Sequence, residues 1–340
     1  MTAELHRLIR EHSTSDNEYK RHIDSLKSSV LTAFYTPPAI TEALADVLDD
    51  YNVRPRRLLK PSAGHGAFIE AFSRHNADMD VMAFEKDLLT GKILAHLYPD
   101  KKVRTEGFER IEKTFNDYFD AAVSNIPFGD VAVFDPSFTA SESAGRRTAS
   151  KAIHNYFFLK GLDAVRDGGI VAFITSQGVM NSPRNETVRL EMLREAHLVS
   201  AIRLPNNLFT DYAGTEVGSD LIVLQKDTRK EGLTEDEKLF TQTGTLHGVG
   251  TNRYFIEHKE QIIYTSAMAV QRASRRSCVN YSTTTCTHGW RCGSTPAAFG
   301  ILGCKSCKSS RRKRPQRFGR KRNRAPCHPM RRSPKSSLPS

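Results

Sequence analysis

The first 267 residues of this 340-residue chain contain no cysteine and no tryptophan. That stretch can therefore carry no disulfide and no thiolate metal site. From residue 268 onward the missing class is acidic: 18 lysines and arginines occur there without one aspartate or glutamate. Cys278, Cys286, Cys292, Cys304, Cys307, Cys327 and Trp290 all fall in that final stretch. The net charge of +12 thus belongs to the tail, because the first 267 residues hold 32 basic against 38 acidic side chains. No apolar run reaches the ~18 residues that a bilayer span requires. The polar start MTAELHRLIREHSTSDNEYKRH has no signal-peptide core. These absences predict a soluble, cytoplasmic protein with no membrane partner.

The chain has 39% hydrophobic residues and 18 phenylalanines, which can build a sizeable core. Helical patterning runs through Leu5, Leu8, Ile9, Ile23, Leu26 and Val30, and the Pro37–Pro38 pair predicts a restart with proline in the first helical turn. Beyond it, short apolar segments alternate with helical stretches. Predicted strands are 57–60, 80–85, 102–105, 119–124, 169–175, 198–204 and 220–225; predicted helices are about 66–75, 88–97, 151–166 and 185–195. This alternation predicts an α/β fold, a doubly wound and mostly parallel sheet preceded by N-terminal helices. In such a sheet ligands bind beyond the carboxyl ends of the strands.

Two loops at predicted strand ends carry the chemistry. The first is LLKPSAGHGAFIEAF, in which Gly64 and Gly66 allow a sharp turn and close backbone approach to a ligand. Glu85 follows Gly66 by 19 residues, in AFEKD at the end of the next strand. A carboxylate there can accept both hydroxyls of a ribose. The spacing suits a nucleoside cofactor in general, and the missing third glycine together with Pro61–Ser62 argues against a nicotinamide dinucleotide. A plain β-to-α turn would carry the same glycines.

The second loop is AAVSNIPFGD, which ends a strand in Asn125-Ile126-Pro127-Phe128. The exocyclic amine of adenine is a poor nucleophile, since its lone pair is delocalised into the ring. Two acceptors aimed at its N–H groups, the Asn125 side-chain oxygen and the Ile126 carbonyl, would localise that pair. Pro127 stiffens the turn, and Phe128 offers a flat face to a base turned out of its helix. The device is positioning and preorganised electrostatics rather than covalent catalysis.

With these motifs in order, the chain resembles the gamma-type N6-adenine DNA methyltransferases. Tyr35-Thr36-Pro37 is similar to that group's element ahead of the loop, Pro61-Ser62-Ala63-Gly64-x-Gly66-x-Phe68 to its cofactor loop, and Asn125-Ile126-Pro127-Phe128 to its Asn-Pro-Pro-Tyr/Phe turn. HNYFFLKGLDAVRDGGIVAFITSQGVM and GTEVGSDLIVLQK also resemble this group, especially large methylase–helicase fusions of conjugative elements. The resemblance implies methyl transfer from S-adenosyl-L-methionine to adenine N6 in DNA, with no metal. It implies that Tyr35, Thr36 and Pro37 close over the methionine end and that the Gly64–Gly66 loop, Glu85 and Lys86 hold the nucleoside. It also brings Glu109 toward the cofactor's adenine, and Asn125 to Phe128 around the target base. Ile126 stands where the group has proline, which implies a less rigid turn. The group's target-recognition region is not evident after residue 228, since residues 229–267 are too few to form one, and the helicase region of the fusions is expected to be missing from this chain.

The implied organisation is an N-terminal helical segment over 1–33, a catalytic domain over 34–228, a connector over 229–267 and a disordered basic tail over 268–340. In the polar stretch 129–150, Arg146 and Arg147 suggest a mobile lid that touches DNA, or a solvated loop. His154 is read as structural. In the tail, Cys304, Cys307, Cys327 and His328 suggest zinc, RRKRPQRFGRKRNR suggests nucleic acid, and the abrupt change of composition near Ala267 suggests a shifted reading frame. Two other functions stay open: methylation of a protein glutamine, whose amide poses the same electronic problem, and a methylase-like DNA-binding module without turnover.

Overall fold

The computed structural model describes residues 3–23, 36–210 and 216–264. Tyr35, residues 24–30 of the N-terminal helical pattern and the whole basic tail lie outside the described residues.

Seven strands form one sheet: β1 (Arg57–Lys60), β2 (Asp80–Phe84), β3 (Lys102–Arg104), β4 (Phe119–Asn125), β5 (Val165–Ser176), β6 (Ala196–Arg203) and β7 (Ser219–Lys226). Their spatial order is β3-β2-β1-β4-β5-β7-β6. β1 to β5 pair in parallel, and β7 runs antiparallel to both neighbours. This is the doubly wound, Rossmann-like arrangement that the alternation of elements predicts. Every predicted strand is present within a few residues of its expected ends.

Alternation within the strands divides the core between the two faces of the sheet. Leu59, Ala122, Val171 and Phe173 join one apolar cluster, with Phe108, Phe157 and Phe158. Leu58, Ala121, Val123, Ile170, Ala172 and Ile174 join the other, with Phe68, Ile69 and Phe72. Successive side chains of a strand point to opposite faces, so a strand covered on both sides must be apolar throughout. Helices supply those covers. α1 (Ala3–Glu11) precedes the sheet, and α2 (Pro38–Asp50) starts on the predicted proline and buries Leu44, Ala45 and Leu48. α3 (Ala67–Ser73) and α4 (Leu88–Leu97) follow β1 and β2.

Three readings of the sequence need correction. The stretch 129–150 is a packed segment, with two short helices, α5 (Pro136–Thr139) and α6 (Ala144–Ala149). Phe138 is buried with its ring 4.7 Å from that of Tyr156. Arg146 is not turned toward a ligand: its guanidinium donates to both oxygens of Asp163, at 2.8 and 2.5 Å. Asp163 belongs to α7 (Ile153–Ala164), the predicted helix before β5. Arg147 donates to the carbonyls of Ser141 and Glu142.

The connector is also folded. After α8 (Gly178–Asn181) and α9 (Glu186–Met192), and beyond β7, come α10 (Glu235–Thr241), a hairpin of β8 (Thr243–Leu246) and β9 (Val249–Asn252), and α11 (Arg253–Glu257). Thr234 and Glu237 cap α10 reciprocally. Phe240, Tyr254 and Phe255 enter the same apolar cluster as Phe158 and Phe173. Third, Ile126 does not loosen its turn. Its amide donates to Ile174 O at 3.0 Å, a bond proline could not make, and its side chain is 2% exposed in the core.

Candidate functional site

The chain winds outward from β1 through β2 to β3, then returns to place β4 on the other side of β1. β1 and β4 therefore flank the point where the winding reverses, and the crevice beyond their carboxyl ends is the natural ligand site of such a sheet. The two loops singled out in the sequence leave from those two strand ends.

Beyond β1 the loop is closed by backbone bonds. Ala63 N–H donates to Phe84 O at 2.9 Å and Gly66 N–H to Ala63 O at 3.1 Å. Gly64 and Gly66 have φ of +56° and +94°, the left-handed region that side chains resist. Gly66 has a second reason to be bare: a Cβ there would lie 2.5 Å from the Tyr98 ring and 3.0 Å from Leu94. Glu85, just past β2, accepts from Gly64 N–H through Oε2 (2.7 Å) and from Asp87 N–H through Oε1 (2.9 Å). Each carboxylate oxygen has two lone pairs, so accepting one bond apiece leaves acceptor capacity for hydroxyl groups.

Beyond β4, Asn125 pairs with Ile174 in the sheet. Phe128 meets Phe209 edge-on, with centroids 6.3 Å apart. Gly129 N–H donates to His154 Nδ1 at 3.2 Å, which gives the structural histidine its task. Burial lowers the pKa of His154, so it accepts as a neutral ring.

One cavity of about 1050 Å³ joins the two ends. Its walls include Thr36, Pro61, Ser62, Ala63, Gly64, Phe68, Glu85, Lys86 and Glu109, and also Asn125, Ile126, Pro127 and Phe128. Gly66 and Pro37 do not line it. Gly66 caps α3 and Pro37 caps α2. Lys86 is largely exposed, with its ammonium 4.0 Å from Glu109 Oε1. The Glu109 carboxylate folds over Gly107, where a Cβ would overlap it.

Sequence reasoning missed several residues of this cavity wall. Lys60, at the end of β1, is 2% exposed and lines the cavity. Its ammonium donates to Ser62 O and, at 2.8 Å, to Ser124 Oγ. Ser124 Oγ lies 2.9 Å from Ser62 O and 3.1 Å from Asn125 O. Lys60 and Ser124 thereby tie the backbone of the loop after β1 to the Asn125 turn. Burial brings the Lys60 pKa down to about 7, against the opposing pull of the Glu85 charge. Nothing in RLLK distinguishes such a lysine from one that snorkels to the surface. Arg21, Val131 and Phe134 are among the others on the cavity wall.

Fold and site together define a doubly wound α/β protein with a large cleft at its switch point. The chain belongs to the N-6 DNA Methylase family, which it matches over residues 25–266. It is 28% identical over 200 residues to Defense against restriction protein B of Escherichia phage P1, covering 58% of this chain but only 8% of that protein. Among solved structures it is similar to a protein provisionally assigned as a modification subunit of a type I restriction enzyme from Vibrio vulnificus YJ016. There the identity is 18% and the TM-score 0.48, over 63% of this chain and 51% of that one. A provisionally assigned class I S-adenosylmethionine-dependent methyltransferase of Listeria monocytogenes gives the same identity and TM-score, over 67% and 72%. No helix among the described residues is long and apolar enough to cross a membrane.

Proposed function

We propose that this chain transfers a methyl group from S-adenosyl-L-methionine to the N6 amine of adenine in DNA. The observation that carries this reading is the shared cavity: Glu85 and the glycine loop form one part of its wall, and Asn125 to Phe128 form another.

The residues present fit the cofactor. The bare backbone at Gly64 leaves room for close approach, and Glu85 retains lone pairs for a ribose diol beside it. Thr36, Lys86 and Glu109 complete that wall, with Tyr35 and Pro37 assigned to the same element as Thr36. When bound, the cofactor supplies a methyl on a positively charged sulfur, which is already an activated leaving group and calls for no metal. Asn125 accepts one adenine N–H through its side-chain oxygen, and the Ile126 carbonyl accepts the other. Two acceptors in fixed positions favour a pyramidal nitrogen with a localised lone pair, the form that attacks. The amine proton then leaves to water. Phe128 stacks on the ring, and its edge contact with Phe209 keeps it from turning.

The test is transfer of labelled methyl from the cofactor to unmethylated DNA, run beside a glutamine-bearing protein acceptor, with calorimetric titration of the cofactor in parallel. Label on DNA, held at adenine N6, is the expected result. Label on protein alone would move the assignment to glutamine, and cofactor binding without transfer to either would leave a binding module.

A further inference from the structure

Phe134 is 81% exposed, the most exposed large apolar side chain among the described residues, and it lines the cavity that holds Asn125. Val131, on the same wall, is 58% exposed. Leaving a phenyl ring in water forgoes the gain that burial would bring. Here the exposure is imposed by anchors on both sides. Val133 is buried and its N–H donates to Ser150 O at 2.8 Å. Asp135 is buried too, and accepts from the Tyr156 hydroxyl at 2.8 Å and from Lys160 at 3.1 Å. With Val133 and Asp135 both held against the fold, Phe134 between them is left facing solvent. Upstream, the bond from Gly129 N–H to His154 pins the start of the same strap. The ring is thus presented at the cavity by a braced segment that begins one residue after the catalytic turn.

Building on the proposed transfer to a DNA base, we infer that Phe134 is the wedge that enters the base stack when the target nucleotide leaves it. A base that reaches Asn125 must swing out of its duplex, which brings the duplex against the apolar lip formed by Phe134 and Val131. The swing opens a gap between the flanking base pairs. An aromatic ring fills such a gap by stacking, and so offsets the lost base–base contact. A polar side chain at 134 would leave the gap to water. The wedge acts on duplex DNA only, because a single strand has no partnered stack to hold open.

The test is labelled-methyl transfer by the full chain to unmethylated DNA of mixed sequence, offered as duplex and again after heat denaturation. Phe134→Ala should lower kcat/KM on duplex by about 10- to 100-fold, the scale of one lost base–aromatic stack. On denatured DNA it should stay within about threefold of wild type, and calorimetric affinity for S-adenosylmethionine should not change. Phe134→Leu, which keeps an apolar wedge, should recover most of the duplex activity. An equal loss on both DNA forms, or no loss on duplex, overturns the wedge while leaving the proposed function intact. A wild-type chain that methylates neither form overturns that function and the wedge with it.

Discussion

The two strand ends that share the cavity are held by different forces. The β1 end is polar and knitted: Ala63, Gly64 and Gly66 each place a backbone N–H on a partner, and Glu85 closes the loop with its charge. The β4 end is packed: Ile126 is sunk in the core, Phe128 leans on Phe209, and a neutral histidine braces Gly129. A knitted wall suits a constant ligand with fixed hydroxyls, whereas a packed wall suits a flat base that must enter and leave. Lys60 and Ser124 are the seam between them.

If the division is real, damage to one wall should spare the other. The largest effect is expected from Asn125→Ala, with transfer lowered by at least about 100- to 1000-fold and cofactor affinity nearly unchanged. Single-turnover transfer and calorimetry read the two separately, and a parallel fall in affinity would erase the distinction. Gly66→Val comes next. It forces a branched side chain into φ +94° against the Tyr98 ring, which should abolish cofactor binding and cost about 2–4 kcal/mol in urea unfolding. Glu85→Gln should weaken the cofactor by about 10- to 100-fold, since its amide nitrogen would face the N–H of Gly64 or Asp87. Base-pocket mutants combined with it should behave additively.

The smallest effect concerns the seam. Folding lowers the Lys60 pKa from 10.5 to about 7. Below pH 7 the ammonium is charged in both states, so the folded chain bears the whole burial penalty. Between 7 and 10.5 the unfolded chain binds more protons, and stability rises with pH. Relative to Lys60→Met, wild type should therefore gain up to about 1.4 kcal/mol per pH unit across that window. Denaturant titrations at pH 7 and 8 measure the difference, and a flat difference would place the lysine in contact with water.

The sequence made the knitted wall readable because its requirements are local. A glycine at positive φ, or an acid at a strand end, is specified by its own neighbours. The same holds for strand β5, whose unbroken apolar run could only lie between two covered faces. The packed wall and its surroundings depend on distant partners. Arg146 looked ready for phosphate because Asp163, 17 residues on, is invisible as a partner until α6 and α7 pack together. Ile126 looked like a weakened proline because its bond to Ile174 O exists only once β4 and β5 align. Phe134 fell in a stretch that polarity alone marked as loop. Residues 229–267 read as a connector because they are too few to form a recognition region, yet Phe240, Tyr254 and Phe255 complete the core.

That last segment sets where the protein can be shortened. Arg189 of α9 is fully buried, and its guanidinium donates to the carbonyls of Val179, Ser182 and Thr241, the last at 2.7 Å, and to the Thr243 hydroxyl. Among the described residues no carboxylate forms an ion pair with it, although the Glu186 charge acts on it without contact; hydrogen-bonded dipoles solvate the cation, and two of the four residues that supply them stand beyond position 228. Trimming the chain to its motif-bearing portion would strand a guanidinium in oil, so a minimal version that folds must run to about residue 264.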